Sequence, residues 1–339
     1  MSGVSIVIVN YKNQDLILGC VRSIVEKELN LDFEIIVVDN NSEDESESKL
    51  KVIYPDLKWI QMGYNSGFGR ANNVGISAAS GEYLLLLNSD ILVTEENTIA
   101  QCLDFLKTLP DSDQTILGTR LVNEDGSYQE TLRLTFPGLR REIRANAFYI
   151  LIVERLFKRK SDLKAKEAQK AAHYTSGEVT WINGAFLLMK YSEMIRRELF
   201  FDTDFFLYGE DTEWCWRAAK SGMKFYHWHE KELVHFGSAS SDGRKQKVQQ
   251  VMASDWLYLR KTRGFWYTLL TLIVIFENQV LDGFLHFLAR IRGKELSDYA
   301  ILQKTHRKWI FEILRKYSFQ ILFKRKHSDE RSFVINCYD

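Results

Sequence analysis

Along the first ninety residues, apolar and polar positions fall into two alternating patterns. Short runs rich in Val, Ile and Leu at 5–11, 34–40, 58–63 and 83–88 have the length and composition of buried strands. Between them, 16–28 and 71–79 carry apolar residues at helical spacing. Such alternation predicts an α/β fold with a mainly parallel sheet covered by helices on both faces. A further helix is expected at 95–109, after which the pattern loosens over 133–177. The segment 158–170 is charged and poor in apolar residues, which predicts a solvated helix or a loop. Strand-like order returns at 179–190, and a helix is expected from Glu210 to Lys220, where Gly222 stops it. From about residue 256 the chain reads as helical. It carries aromatic clusters at Phe265, Trp266, Tyr267, Phe284 and Phe287, and basic groups at Arg290, Arg292 and Lys294 and over 324–326.

Length and composition narrow the classes. The 339 residues, 45% of them hydrophobic, suffice for a large core. Lys plus Arg and Asp plus Glu are each 45, so no global basic field favours nucleic acid as a partner. Cys20, Cys102, Cys215 and Cys337 lie far apart with no metal spacing, which fits free thiols in a reducing compartment and a cytoplasmic location. The N-terminus runs straight into the first strand without a secretory pattern. Glu277, Asn278, Gln279 and Asp282 interrupt the apolar run of 266–276 well before about 20 residues, so a spanning helix is not expected.

In a parallel α/β sheet, ligands bind outside the carboxyl ends of the strands. Those ends carry Asn10 and Tyr11, then Asp39, Asn40, Asn41 and Ser42, then Asn65, and finally Asn88, Ser89 and Asp90. Singly, each is as well explained by a turn or a helix cap; together they point to one crevice. Asp90 leaves the tip of a leucine run, where a hard divalent cation such as Mg2+ or Mn2+ could take it as an oxygen ligand. Gly67 and Gly69 open a helix in a way suited to phosphate, though in neither a P-loop nor a dinucleotide spacing. Glu210, Asp211 and Glu213 begin a helix just after an aromatic stretch. Macrodipole electrostatics explain acids there, and so does a general base whose pKa is raised by apolar surroundings and a neighbouring carboxylate. His235 ends a strand-like segment, where a neutral imidazole suits a metal; His227 and His229 read as structural.

Six motifs in order carry a resemblance. They are Ser5 to Tyr11, Val37 to Ser42, Asn65-Ser66-Gly67-Phe68, Leu87-Asn88-Ser89-Asp90, Trp181-Ile182-Asn183-Gly184-Ala185 and Tyr208-Gly209-Glu210-Asp211. This set resembles family 2 glycosyltransferases of the GT-A fold, most of all their rhamnosyltransferase-like branch, over about residues 4–260. The resemblance implies a catalytic domain at 1–260, with a donor half at about 1–120 and an acceptor half at about 121–260. Residues 261–339 would be a helical extension, for a membrane surface or a dimer seam.

By the same resemblance, Asp39 contacts the nucleobase of a nucleoside-diphosphate sugar. Asn72 lies near that donor, with Asn10, Tyr11, Asn41, Asn65, Gly67, Phe68, Asn88, Ser89 and Asp90 completing its site. Asp90 is the surviving acid of an Asp-x-Asp metal motif whose first position is Asn88 here, and His235 completes the metal site. Asp211 is the catalytic base, and Trp181, Asn183, Gly184 and Glu210 line the acceptor side. The implied reaction is inverting transfer, with L-rhamnose from dTDP-rhamnose as the favoured donor, to a hydroxyl of a glycan or lipid-linked acceptor in cell-surface polysaccharide synthesis. The enzyme would then work in the cytoplasm, or peripherally on the inner face of the cell membrane.

Two other classes compete. A catalytically silent nucleotide-sugar-binding or scaffold protein would keep the fold but has no chemical use for Asp211. A nicotinamide oxidoreductase requires a glycine fingerprint after the first strand, and residues 10–14 lack one.

Overall fold

The computed structural model describes residues 3–138, 161–237, 244–291, 298–323 and 335–338. The chain separates into two compact units. The first holds residues up to 136 together with 166–206 and 210–241; the second holds 137–165, 207–209 and 242–339.

The first unit is built on strands β1 (Val4–Asn10), β2 (Phe33–Asp39), β3 (Lys58–Gln61), β4 (Tyr83–Asn88), β5 (Ile91–Leu92), β6 (Thr115–Val122), β7 (Leu132–Arg133), β8 (Gly177–Val179), β9 (Trp181–Ile182), β10 (Phe186–Lys190) and β11 (Lys224–His235). Its helices are α1 (Gln14–Lys27), α2 (Ser46–Ile53), α3 (Gly67–Ala78), α4 (Thr98–Thr108), α5 (Ser161–His173, from Lys166 on), α6 (Tyr191–Arg196) and α7 (Glu210–Lys220). Among the described residues a nine-stranded sheet runs β3-β2-β1-β4-β10-β6-β11-β5, with β8 also on β11, and β7 and β9 form a separate pair.

The sheet is mixed. β3, β2, β1 and β4 are parallel, as the strand-helix alternation predicts. β10 is antiparallel to both β4 and β6, while β6 and β11 are parallel to each other. Along β1 the side chains alternate between faces, as the two-residue strand period requires. Val4, Ile6 and Ile8 pack with Ile17, Cys20 and Ile24 of α1 and with Cys102 and Leu106 of α4. On the other face, Val7 packs with Ala71 and Ile76 of α3, Met194 of α6 and Trp214 of α7. Helices thus cover both faces, and the polar strand ends are left for a ligand.

Element boundaries follow the sequence closely at 83–88 and at Glu210 to Lys220, and α3 begins at Gly67, where the two glycines were expected to open a helix, a turn before its apolar spacing starts at 71. Gly67 has φ 76, and a β-carbon there would lie 2.3 Å from the carbonyl oxygen of Phe206. Only glycine fits that turn. The charged segment at 158–170 lies in α5 from Ser161, and its first three residues are outside the described residues.

The second unit contains α8 (Arg244–Arg263), α9 (Phe265–Ile291) and α10 (Asp298–Phe323), which pack on one another. Gly264, at φ 91, separates α8 from α9. Lys245 pairs with Glu312 at 2.7 Å, and Arg260 Nε donates to Leu322 O at 3.1 Å, tying α8 to α10. No helix among the described residues is long and apolar enough to cross a membrane. The basic positions Arg292, Lys294 and 324–326 lie outside the described residues.

Candidate active site

The parallel register aligns the polar strand ends: Asn10 pairs with Asp39, and Val9 with Asn88. Asp39 is buried and is the hub of a hydrogen-bond network in which Asn10 Oδ1 is left without a partner. Asn10 Nδ2 donates to its Oδ1 at 2.9 Å, and the Ser42 hydroxyl donates to the same oxygen at 2.5 Å. Ser42 N and Gln61 Nε2 donate to Oδ2 at 2.8 and 2.9 Å. Tyr11 is exposed beside this network, and Asn41 sits in the left-handed region at φ 68 with its Nδ2 on Glu43 at 2.9 Å.

Asn40 joins that strand end to the α3 turn. Its Oδ1 accepts from the Ser66 backbone and hydroxyl at 3.1 and 2.6 Å, and its Nδ2 donates to Gly67 O at 3.0 Å. Asn65 Oδ1 accepts the Gly67 N–H at 3.2 Å, and the buried Asn72 donates from Nδ2 to Phe68 O at 3.0 Å. The amide of Asn73 brackets Phe201, donating to its carbonyl and accepting its N–H at 2.9 and 2.7 Å. Helix α3 and the loop after α6 are therefore one construction.

β5 pairs antiparallel with the end of β11, His235 opposite Ile91, and Phe236 N donates to Asp90 O at 3.0 Å. This ladder sets His235 Nε2 3.2 Å from Asp90 Oδ1. Asn88 Nδ2 lies 3.3 Å from the same ring nitrogen, whereas Asn88 Oδ1 is buried without a hydrogen-bond partner. Ser89 lies half-buried between them. A carboxylate oxygen and an imidazole nitrogen at that distance are joined either by a hydrogen on Nε2 or by a cation that both ligate. An unpartnered amide oxygen in the next side chain adds a third oxygen or nitrogen donor suited to a hard cation. Among the described residues no group of three or more His, Cys, Asp and Glu side chains gathers for a metal; an amide oxygen, water or a bound molecule is the kind of further ligand a hard cation accepts.

Asp211 stands at the start of α7, after Tyr208 at φ 64 and Gly209 at φ 79 turn the chain. Its Oδ1 accepts from Thr212 N at 2.7 Å and from the Thr212 hydroxyl at 3.3 Å; its Oδ2 faces Gly184 N at 3.5 Å. Burial pushes the carboxyl above the usual aspartate range, against the opposing pull of the Arg133 guanidinium and of these donors. Of its neighbours, Glu213 is held by Arg217 Nε at 2.7 and 2.9 Å, and Glu210 is buried. Residues 183–185 link this helix start to the strand ends. Asn183 Oδ1 accepts the Ala185 N–H at 2.8 Å, and Ala185 O accepts the Asn88 N–H at 3.0 Å. Trp181 is buried on β9, its indole N–H unpartnered, with the Arg133 guanidinium 4.6 Å from its ring centre.

The structure thus joins Asn10 to Asp39, Asn88 to Asp90 and His235, and Phe68 to Gly184 and Asp211. Arg133 of β7, Gln61, Asn73 and Gln129 escaped the sequence reading. Arg133 and Gln129 lie in a stretch with weak periodicity, and no local pattern marks either. His227 and His229 are structural: His227 Nε2 bonds His173 O at 3.0 Å, and His229 Nδ1 lies 2.8 Å from Ser176 Oγ. All four cysteines are free, three of them buried.

Residues 5–176 match the family model described as Glycosyl transferase family 2. The rhamnosyltransferase WbbL of Escherichia coli is 25% identical over 276 residues, which cover 77% of this chain and 94% of that protein. The low-salt glycan biosynthesis hexosyltransferase Agl10 of Haloferax volcanii is 22% identical over 321 residues, 87% of this chain and 94% of its own. A mannosyltransferase structure from Pyrobaculum calidifontis, solved with GDP-Man and Mn2+, superposes on 92% of this chain and 86% of its own with TM-score 0.55 and 15% identity. The mainly parallel sheet flanked by helices is the GT-A fold expected from the sequence motifs.

Proposed function

We propose that this chain, which belongs to glycosyl transferase family 2, transfers a sugar from a nucleoside-diphosphate donor to an acceptor hydroxyl with inversion at the anomeric carbon. One observation carries the reading: Gly184 N faces the Asp211 carboxylate while the next residue's carbonyl holds Asn88, so the 183–185 turn ties a half-buried base to the Asp90–His235 pair. A half-buried carboxyl with a raised pKa beside a polar strand end suits proton removal from a sugar hydroxyl.

In this reading Asp39 and Asn10 receive the nucleobase, with Tyr11 and Asn41 at the rim. The α3 turn at Asn65, Gly67 and Phe68, with Asn72, faces the rest of the donor. Asp90 and His235, with Asn88 and Ser89 beside them, hold a divalent cation, Mg2+ or Mn2+. Such a cation, when bound, neutralises charge on the departing diphosphate. Asp211 takes the proton of the attacking hydroxyl, and Trp181, Asn183, Gly184 and Glu210 line the acceptor side. The names of WbbL and Agl10 favour a hexose donor, rhamnose among them, and a glycan product; dTDP-rhamnose and a glycan or lipid-linked acceptor of the cell surface follow from the resemblance of the sequence motifs. The donor half falls at about 1–120, the acceptor half at about 121–260, and the helical extension at 261–339. The whole enzyme is assigned to the cytoplasm.

The testing experiment is calorimetric binding of dTDP, UDP and GDP with and without Mn2+ or Mg2+, followed by transfer assays with the matching donor sugars. Metal-dependent binding of one nucleotide, followed by inverted product, supports the reading. Binding without any transfer would return the silent-scaffold alternative.

The outer face of α9 also fits a lipid surface. Trp266, Leu270, Ile273, Val280, Phe284 and Phe287 recur at helical spacing and are all exposed, the first at 78%. Lys261 and Arg263 precede that face in sequence, a basic composition that suits the anionic headgroups of the inner leaflet. Cosedimentation with anionic vesicles that is lost in Phe284→Glu supports this docking; a concentration-dependent dimer abolished by the same change would assign the face to a second copy.

A further inference from the structure

The β6–β7 connection contains a side-chain network that leads to His235. Asn123 Nδ2 donates to the Tyr128 carbonyl at 3.4 Å and to the Ser127 hydroxyl at 2.7 Å. A carbonyl only accepts, so this end of the Asn123 side chain is its NH2, and Oδ1 is an acceptor. That Oδ1 receives Gln129 Nε2 at 2.6 Å, and the His235 carbonyl receives the same nitrogen at 2.6 Å. Two obligate acceptors around one end of Gln129 fix that end as NH2 too. The other end, Oε1, lies 2.8 Å from His235 Nδ1 and must accept. Nδ1 therefore carries a hydrogen.

In the neutral ring the consequence falls on the other nitrogen. With the hydrogen on Nδ1, Nε2 keeps its lone pair, and it is Nε2 that faces Asp90 Oδ1 and the Asn88 side chain. Metal-binding imidazoles are commonly oriented in this way by an acceptor on the non-coordinating nitrogen.

We propose that Gln129, held by Asn123, is a positioning residue that fixes His235 as its Nδ1–H tautomer and thereby presents a bare Nε2 to the Asp90 carboxylate. The benefit of that orientation rests on the cation site assigned above; the tautomer itself does not. The carbonyl of His235 and its own ring nitrogen are both bonded by Gln129, so one side chain fixes backbone and ring together. Asp90 O meanwhile holds Phe236 N on the opposite edge of the strand end. The ring thus has a defined direction before any ligand arrives, which is how a supporting side chain raises affinity without touching the ligand.

The test is long-range 1H–15N correlation on the full chain with 15N-labelled histidine, without metal, at a pH where the imidazoles are neutral. His235 is assigned by the signals lost in His235→Asn. A wild-type His235 protonated at Nδ1 supports the proposal, and one protonated at Nε2 overturns it without reference to any metal. Gln129→Leu should mix the tautomers or move the hydrogen to Nε2, and should weaken Mn2+ binding about 10- to 100-fold, measured by electron paramagnetic resonance with the nucleotide present. Gln129→Leu with unchanged tautomer would overturn the proposal. If wild type shows the Nδ1–H form yet binds no Mn2+ with any nucleotide, the positioning stands and the cation reading fails.

Discussion

Gly184 approaches Asp211 so closely that a β-carbon at position 184 would lie 3.3 Å from the Asp211 β-carbon and 3.6 Å from the Phe68 ring. The missing side chain lets the Gly184 N–H face the carboxylate from 3.5 Å. Gly184→Ala must therefore push Asp211 by a few tenths of an ångström in a close-packed interior, while the Phe68 ring is already at ordinary contact distance. The expected result is a fold retained at a cost of about 1 kcal/mol and a kcat lowered roughly tenfold, since small misplacements of reacting groups are expensive. Steady-state kinetics and thermal unfolding of the variant check both parts.

Asp211→Asn keeps the volume and an acceptor for Thr212 N while removing the proposed base. Donor binding should be unchanged and transfer should fall by about 10²- to 10⁴-fold. The raised carboxyl pKa adds a second expectation. In the proposed role the carboxylate is the active form, so protonation on lowering the pH should remove activity, and at a higher pH than for an aspartate of about 3.9. The acidic limb of kcat/KM against pH should accordingly lie above that value; a limb at or below it would remove the burial of Asp211 from the account.

Asn88 occupies the first position of the expected metal motif, and its Oδ1 is buried without a partner next to the Asp90–His235 pair. Replacing that amide by a carboxylate supplies charge to a cation without adding volume. Asn88→Asp should tighten Mn2+ binding in the presence of nucleotide by roughly tenfold, about 1.4 kcal/mol, and should destabilise the metal-free protein because it brings a second carboxylate beside Asp90. Calorimetry and metal-free melting test the two halves. Weaker metal binding in this variant would place the cation elsewhere.

The parallel half of the sheet was legible because β1, β2 and β4 are nearly continuous apolar runs ending in polar residues, a pattern that fixes both burial and the ligand-facing end. α7 was legible from its acids and from Gly222. Pairing was not. Nothing in Phe186 to Lys190 says that this strand enters antiparallel between β4 and β6, because an apolar run carries no direction. The pairing of His235 with Asp90 needed β5, only two residues long, to lie against the end of β11. Arg133 and Gln129 were invisible for a related reason. Their roles come from distant partners, Trp181 and His235, rather than from local periodicity.

A buried histidine pair away from the site makes stability pH-dependent. Burial pushes His173 down to about 4, with His227 and Arg120 adding in the same direction, and His227 is itself lowered by burial. The His173 ring lies edge-on to Tyr128, its Nδ1 is 3.3 Å from Thr131 Oγ1, and its carbonyl holds His227. The unfolded chain protonates this histidine at about 6.5, whereas the folded chain resists until about 4. Between those values the unfolded state binds more protons, so stability falls as the pH falls from 6.5 to 4 and is fully present above 6.5. The contribution is on the order of 3 kcal/mol. His173→Phe keeps an aromatic ring but has nothing to titrate. It should lose about 1 kcal/mol at neutral pH, where Thr131 loses its partner, yet show a flatter decline of denaturant midpoint through that window, with the remaining slope due in part to His227. A decline as steep as wild type would show that His173 does not control it.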